Sequence, residues 1–188
     1  MSRLLPHCYR RIVNAGIRKL LHGLVKGINP FISMGSGGSL LMFTSRAIGF
    51  VGSPYKSTSE IPKGLGAKHA AEGVLKILPE FEVGLTDIEG FSHLFVIWEF
   101  DRSDRVELMG KPPSDNRAHG VFATRSPRRP NPIGLTVVEL LRRDGGELHV
   151  RGVDMLDGTP ILDIKPYLSG VAMEKLRRGW LAEAEARG

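Results

Sequence analysis

Residues 135–154 read LTVVELLRRDGGELHVRGVD. Two apolar, β-branched runs, 135–142 and 147–154, flank Asp144-Gly145-Gly146. Glycine adopts positive φ at no steric cost, so a tight glycine pair between such runs signals a β-hairpin. The same pattern recurs outward in both directions. Short runs at 47–52, 73–78, 91–100, 120–124 and 160–165 carry residues suited to a pleated surface and are separated by turn residues. Helical spacing is confined to the C-terminus, where Met173, Leu176, Trp180 and Ala184 recur every three to four residues. The chain therefore reads as mainly β: a small antiparallel β-barrel with a C-terminal helix lying on it. It does not read as a Rossmann fold, because no glycine-rich turn follows the first strand and strands do not alternate with helices.

Immediately before the hairpin, residues 120–134 read GVFATRSPRRPNPIG. Arg125, Arg128 and Arg129 are interleaved with Pro127, Pro130 and Pro132. Proline fixes its own φ and pushes the preceding residue toward extended geometry, so this loop has few backbone states. Planar guanidinium donors held by a stiff backbone lose less entropy on gripping a carboxylate, a phosphate or a base edge. The reading is a preorganised anion site, against the alternative of a proline-rich connection with solvated arginines.

Immediately after the hairpin, residues 156–167 read LDGTPILDIKPY. Asp157-Gly158-Thr159-Pro160 is a turn: glycine supplies positive φ and the aspartate accepts nearby backbone N–H groups. The strand that follows places Asp163 and Lys165 on one face and ends at Pro166. Alone, this block reads as a turn and a strand-end ion pair.

With 91–100 (FSHLFVIWEF) and 48–55 (IGFVGSPY), these blocks in this order resemble the TsaA-like, or TrmO-like, family over roughly residues 43–168. The resemblance implies a small β-barrel that pairs into homodimers. It also implies an enzyme that uses S-adenosylmethionine (SAM) to methylate N6 of threonylcarbamoyladenosine next to the anticodon of certain tRNAs. The cofactor contacts it implies fall on Pro62, Lys63 and Gly64, on Asp101 and Arg102, on Arg125 and Leu135, and on Asp157, Gly158, Thr159 and Pro160. Two groups depart from the pattern: Lys63-Gly64 stands where relatives carry Arg-Gln, and Asp101-Arg102 where they carry His-Gln. Lysine cannot make bidentate contacts and glycine has no side chain, so the substrate is less constrained than the cofactor. Arg128, Arg129 and Asn131 are placed for phosphate or base contacts. Asp157 and Asp163 are the candidate proton acceptors, each with the alternative of a turn residue or a strand ion pair. A SAM-binding module that has lost the tRNA reaction is the alternative function.

The chain has 188 residues, enough for one well-cored domain. Its formal charge of +6 is concentrated in the leader, residues 1–41, which carry Arg3, Arg10, Arg11, Arg18, Lys19 and Lys26 and no acid. Removing those six from 26 basic residues leaves 20, against 20 acidic ones. Attraction to a polyanion must therefore come from local clusters such as Arg125–Arg129. The leader fits a transit-peptide-like or membrane-surface helix, or an upstream start with the domain beginning at Met34 or Met42. The expected division is a basic extension (1–41), a barrel (42–170) and a helix (171–188). One cysteine, Cys8, excludes an intrachain disulfide, and the six scattered histidines give no metal-ligand spacing. His93 reads as hydrogen-bonded within the fold, while His69 and His119 stay open. The longest apolar runs fall short of the roughly 20 residues that span a bilayer, and a cytoplasmic protein without metal is expected.

Overall fold

A computed structural model describes residues 44–63, 69–168 and 179–187. Eight strands are present among them: β1 (Gly49–Gly52), β2 (Glu72–Ile77), β3 (His93–Glu99), β4 (Met109–Gly110), β5 (His119–Gly120), β6 (Ile133–Asp144), β7 (Glu147–Arg151) and β8 (Pro160–Pro166). Six of them close into an antiparallel barrel in the order β1-β2-β7-β6-β3-β8. β4 and β5 form a separate two-stranded ribbon. Helix α1 (Trp180–Glu185) lies near the C-terminus.

Alternation along the strands fills the barrel. Leu94, Val96 and Trp98 of β3 point inward, as do Thr136 and Val138 of β6, Leu148 and Val150 of β7, Leu75 and Ile77 of β2, Val51 of β1 and Ile161 of β8. Val153 and Met155, on the β7–β8 connection, complete the core. Burying each large apolar side chain contributes about 1.5–3 kcal/mol. The expected hairpin is present, with Asp144 paired to Glu147 and Gly145 at φ 57°. β7 stops at Arg151 instead of reaching 154, because Gly152 takes φ 102° and turns the chain away.

The expected strand at 120–124 is a correction. Only His119–Gly120 is extended, and Val121–Ala123 forms a 3-10 turn. The Thr124 hydroxyl and N–H both reach back to the Val121 carbonyl, at 2.9 and 3.1 Å, closing a turn where hydrophobicity suggested a strand. Of the expected helix at 171–188, residues 171–178 and 188 lie outside the described residues, with Met173 and Leu176 among them; the leader, 1–41, lies outside as well. Within the described part, Ala184 is buried and Trp180 half-buried. No helix among the described residues is long and apolar enough to cross a membrane, and no group of three metal-ligating side chains occurs among them.

Candidate functional site

Antiparallel pairing brings five strand ends to one end of the barrel. The C-terminal ends of β1 and β3 and the N-terminal ends of β2, β6 and β8 all meet there, as the pairs Gly52 with Val74, Phe50 with Pro160, Trp98 with Ile161 and Glu99 with Ile133 require. The loops at this rim are the β1–β2 loop, the start of the β3–β4 loop, the basic loop before β6 and the turn before β8.

Asp157 is the centre of the rim. Its Oδ1 accepts the Ser53 N–H at 3.0 Å, and Lys56 Nζ lies 2.7 Å from Oδ2. The lysine first, and the Ser53 N–H next, hold its carboxyl below the usual carboxylate range. Its own N–H donates to the Tyr55 carbonyl at 2.8 Å. Gly158, at φ 77°, donates to Val51 O at 2.8 Å; only glycine adopts that conformation without strain. Arg102 Nη2 donates to the Asp157 carbonyl at 2.7 Å, tying the β3 exit to the turn. Thr159 and Pro160 are buried beneath it.

Two carboxylates sit beside that tie. Burial raises Asp101 despite Arg102 Nε at 3.6 Å, and burial together with the negative charge of Asp101 raises Glu99. The Glu99 carboxylate makes no hydrogen bond or ion pair among the described residues.

The basic loop is held from several directions. Ser103 Oγ donates to Pro127 O at 3.0 Å, Glu107 N to Arg128 O at 2.9 Å, and Phe100 N to Pro132 O at 2.7 Å. Arg128 Nη1 reaches Glu107 Oε2 at 2.8 Å, while Arg105 takes the other carboxylate oxygen. Arg129 Nη1 donates to Thr124 O at 3.1 Å. Arg125 Nη2 donates to the carbonyl of Leu135. The loop is thus held by hydrogen bonds from its neighbours, and its arginines serve partly as its own struts.

The fold joins Asp101 and Arg102 to Asp157, Gly158, Thr159 and Pro160, and Arg125 to Leu135. Pro62 and Lys63 are exposed on the β1–β2 loop, and Gly64 lies outside the described residues. Asn131 is exposed and its side chain is unbonded among the described residues. Asp163 pairs with Lys165 at 2.7 Å and accepts the Ile164 N–H. His93 is exposed and bonded to Ser92. His119 stacks on Trp180 and meets Asp115. His69 has a buried Nδ1 without a partner among the described residues. Sequence reasoning missed Ser53, Lys56 and Glu99; a cation three residues after the conspicuous Ser53-Pro54 turn was the available signal for Lys56.

A closed six-stranded antiparallel barrel whose polar site is assembled from loops at one rim defines a class distinct from doubly wound nucleotide-binding proteins. The profile of the tRNA-methyltransferase O N-terminal domain matches residues 50–172, and the chain belongs to that family. An Archaeoglobus fulgidus protein named "Probable S-adenosyl-L-methionine-binding protein" is 50% identical over 147 residues, covering 77% of this chain and 40% of that one. A Pyrococcus abyssi protein of the same description is 47% identical over 142 residues, covering 75% of this chain and 77% of that one. The crystal structure of TrmO from Pseudomonas aeruginosa superposes with a TM-score of 0.62 at 36% identity, covering 75% of this chain and 62% of the other. The chain therefore spans less than two thirds of the Archaeoglobus relative and of TrmO.

Proposed function

We propose that this protein is a SAM-dependent methyltransferase that modifies tRNA, methylating N6 of threonylcarbamoyladenosine next to the anticodon. The observation that carries the reading is the convergence of Arg102, Asp157–Pro160, Arg125 and Leu135 on one barrel rim, in a chain of the tRNA-methyltransferase O family.

The residues present suit SAM chemically. Arg125 spends one donor on Leu135 O and stays exposed, leaving N–H groups for a carboxylate. Leu135 and Ile133, 48% and 41% exposed, offer apolar surface for an adenine ring. Asp101 is a half-buried carboxylate whose acceptor oxygens suit ribose hydroxyls or an ammonium. Arg102 is committed to the Asp157 carbonyl, so the departure from the family pattern at this position braces the turn. When bound, SAM supplies an electrophilic methyl on a sulfonium with a neutral leaving group. The protein's share is alignment, together with an acceptor for the N–H proton of the nucleophile. Asp157 and Asp163 are both neutralised by lysines, which disfavours them as that acceptor. Arg128, Arg129 and Asn131 supply the local positive and polar surface that a neutral domain needs to hold RNA in the cytoplasm.

A homodimer belongs to the same proposal. Beyond Ile133 and Leu135 the outward apolar row of β6 continues at Val137, and beside it Phe95 of β3 packs on the exposed ring of Tyr167 at 5.0 Å on the same wall. A monomer leaves that face in water.

The second reading is a SAM-binding module without transfer, favoured by the engagement of both aspartates. The deciding experiment incubates the protein with labelled SAM and total tRNA from cells lacking it, then digests to nucleosides. Label in N6-methylated threonylcarbamoyladenosine supports the enzyme; SAM binding without label in any nucleoside supports the module.

A further inference from the structure

The C-terminal helix is tied to the segment that leads into the basic loop. Trp180 Nε1 donates to the Ala123 carbonyl at 2.9 Å. The indole stacks on His119, with centroids 4.2 Å apart and planes 20° from parallel. His119 Nε2 lies 3.3 Å from Asp115 Oδ2. That carboxylate, only 4% exposed, also takes Arg117 at 3.0 Å and Arg187 at 3.1 Å, and Arg117 returns to α1 through Glu183 at 2.9 Å. Asp115 thus gathers the β4–β5 ribbon and both ends of α1 into one knot.

The knot sits at the root of the basic loop. Ala123 ends the 3-10 turn, and the next residue, Thr124, organises the start of the loop. Its hydroxyl donates to Val121 O and accepts the Ser126 N–H at 3.3 Å, and its carbonyl accepts Arg129 at 3.1 Å. Between those contacts lies Arg125, bound to Leu135 O. Fixing Ala123 therefore fixes where Thr124 starts, and with it the directions of Arg125 and Arg129.

We propose that Trp180 is a positioning residue for Arg125 and Arg129, acting through the Ala123 carbonyl, so that docking of α1 sets the affinity of the rim for its anionic ligand. The proposal rests on the SAM reading above. Trp180→Phe tests it, because phenylalanine keeps an aromatic face, though a smaller one, against His119 and removes the N–H donor. Two readouts separate positioning from bulk stability. The first is the rate at which trypsin cuts Arg125–Ser126 in the intact chain, followed by mass spectrometry. The second is SAM affinity by calorimetry. The expected result is faster cleavage and a Kd raised about two- to tenfold, the value of one net hydrogen bond. Arg187→Gln, which loosens the far end of α1 without touching Trp180, shifts both in the same direction and serves if Trp180→Phe does not fold. Affinity equal to wild type in both variants overturns the proposal, whatever happens to melting temperature. Wild type that binds no SAM refutes the functional reading instead, and the cleavage rate alone then decides whether Trp180 orders the loop.

Discussion

Trp98 and Gly134 face each other across the β3–β6 pairing so closely that a β-carbon at 134 would sit less than 3.0 Å from three atoms of the indole. The ring cannot swing aside freely, because its Nε1 donates to Thr136 Oγ1 at 3.0 Å, and that hydroxyl donates to Asp154 at 2.5 Å. Gly134 is also the residue before Leu135, so strain there reaches the site. Gly134→Ala is expected to lower stability by about 1–3 kcal/mol, the usual cost of overpacking. Denaturant unfolding measures it, and a neutral effect would show that the ring yields.

Arg125→Ala removes an exposed guanidinium from the rim. SAM affinity is expected to fall by about 1.5–3 kcal/mol, the worth of a hydrogen bond to a charged group, with the fold intact by circular dichroism. Unchanged calorimetric affinity would remove Arg125 from the site.

Arg128→Ala with Arg129→Ala is expected to weaken RNA binding. Each lost phosphate contact flattens the log–log salt slope by about 0.7–0.9. Both arginines also brace the loop through Glu107 and Thr124, so a modest loss of SAM affinity accompanies the change. RNA affinity measured at several salt concentrations checks this; a wild type that binds no RNA at any salt rejects tRNA as the partner.

Asp115 and Glu99 are expected to respond to acid with opposite sign. The hydrogen bonds from Arg117 hold Asp115 far below the ordinary range, so the stability it contributes is complete above its unfolded pKa of about 3.9 and fades as pH falls toward the folded value. Asp115→Asn therefore lowers the melting temperature at pH 7 (roughly the pH of the cell), with the deficit shrinking below about pH 4. Glu99 is raised, so its ionised form opposes folding at neutral pH and ceases to do so as pH falls through the raised value toward about 4.3. Glu99→Gln holds or raises the melting temperature at neutral pH. Melting curves across this range decide both.

Val137→Lys places a charge on the outward apolar row of β6. Sedimentation is expected to show a dimer for wild type and a monomer for the variant; a monomeric wild type rejects the pairing.

The barrel was legible because its signals are local. The Asp144-Gly145-Gly146 turn and the period-two runs beside it each depend on a few adjacent residues. The segment at 120–124 misled because Val121-Phe122 has strand chemistry, whereas the Thr124 hydroxyl decides the geometry. Rim membership of Asp157 and Arg102 came from resemblance; their contact spans 55 residues and leaves no periodic trace. The Asp115 knot was illegible for the same reason, since Arg187 meets Asp115 from 72 residues away.

The seam between β1 and β8 is the shortest join in the barrel, two residue pairs against seven between β3 and β6. It also joins the two staves most distant in the chain, so closing it directly from the unfolded chain carries the largest loop entropy. The bonds from Gly158 to Val51 and from Ser53 to Asp157 cross this same seam. Closing the barrel and assembling the rim are thus one event. A ligand held there acts as a keystone, and its signature is slowed amide hydrogen exchange at Val51 and Gly158, far more than in the β6–β7 hairpin.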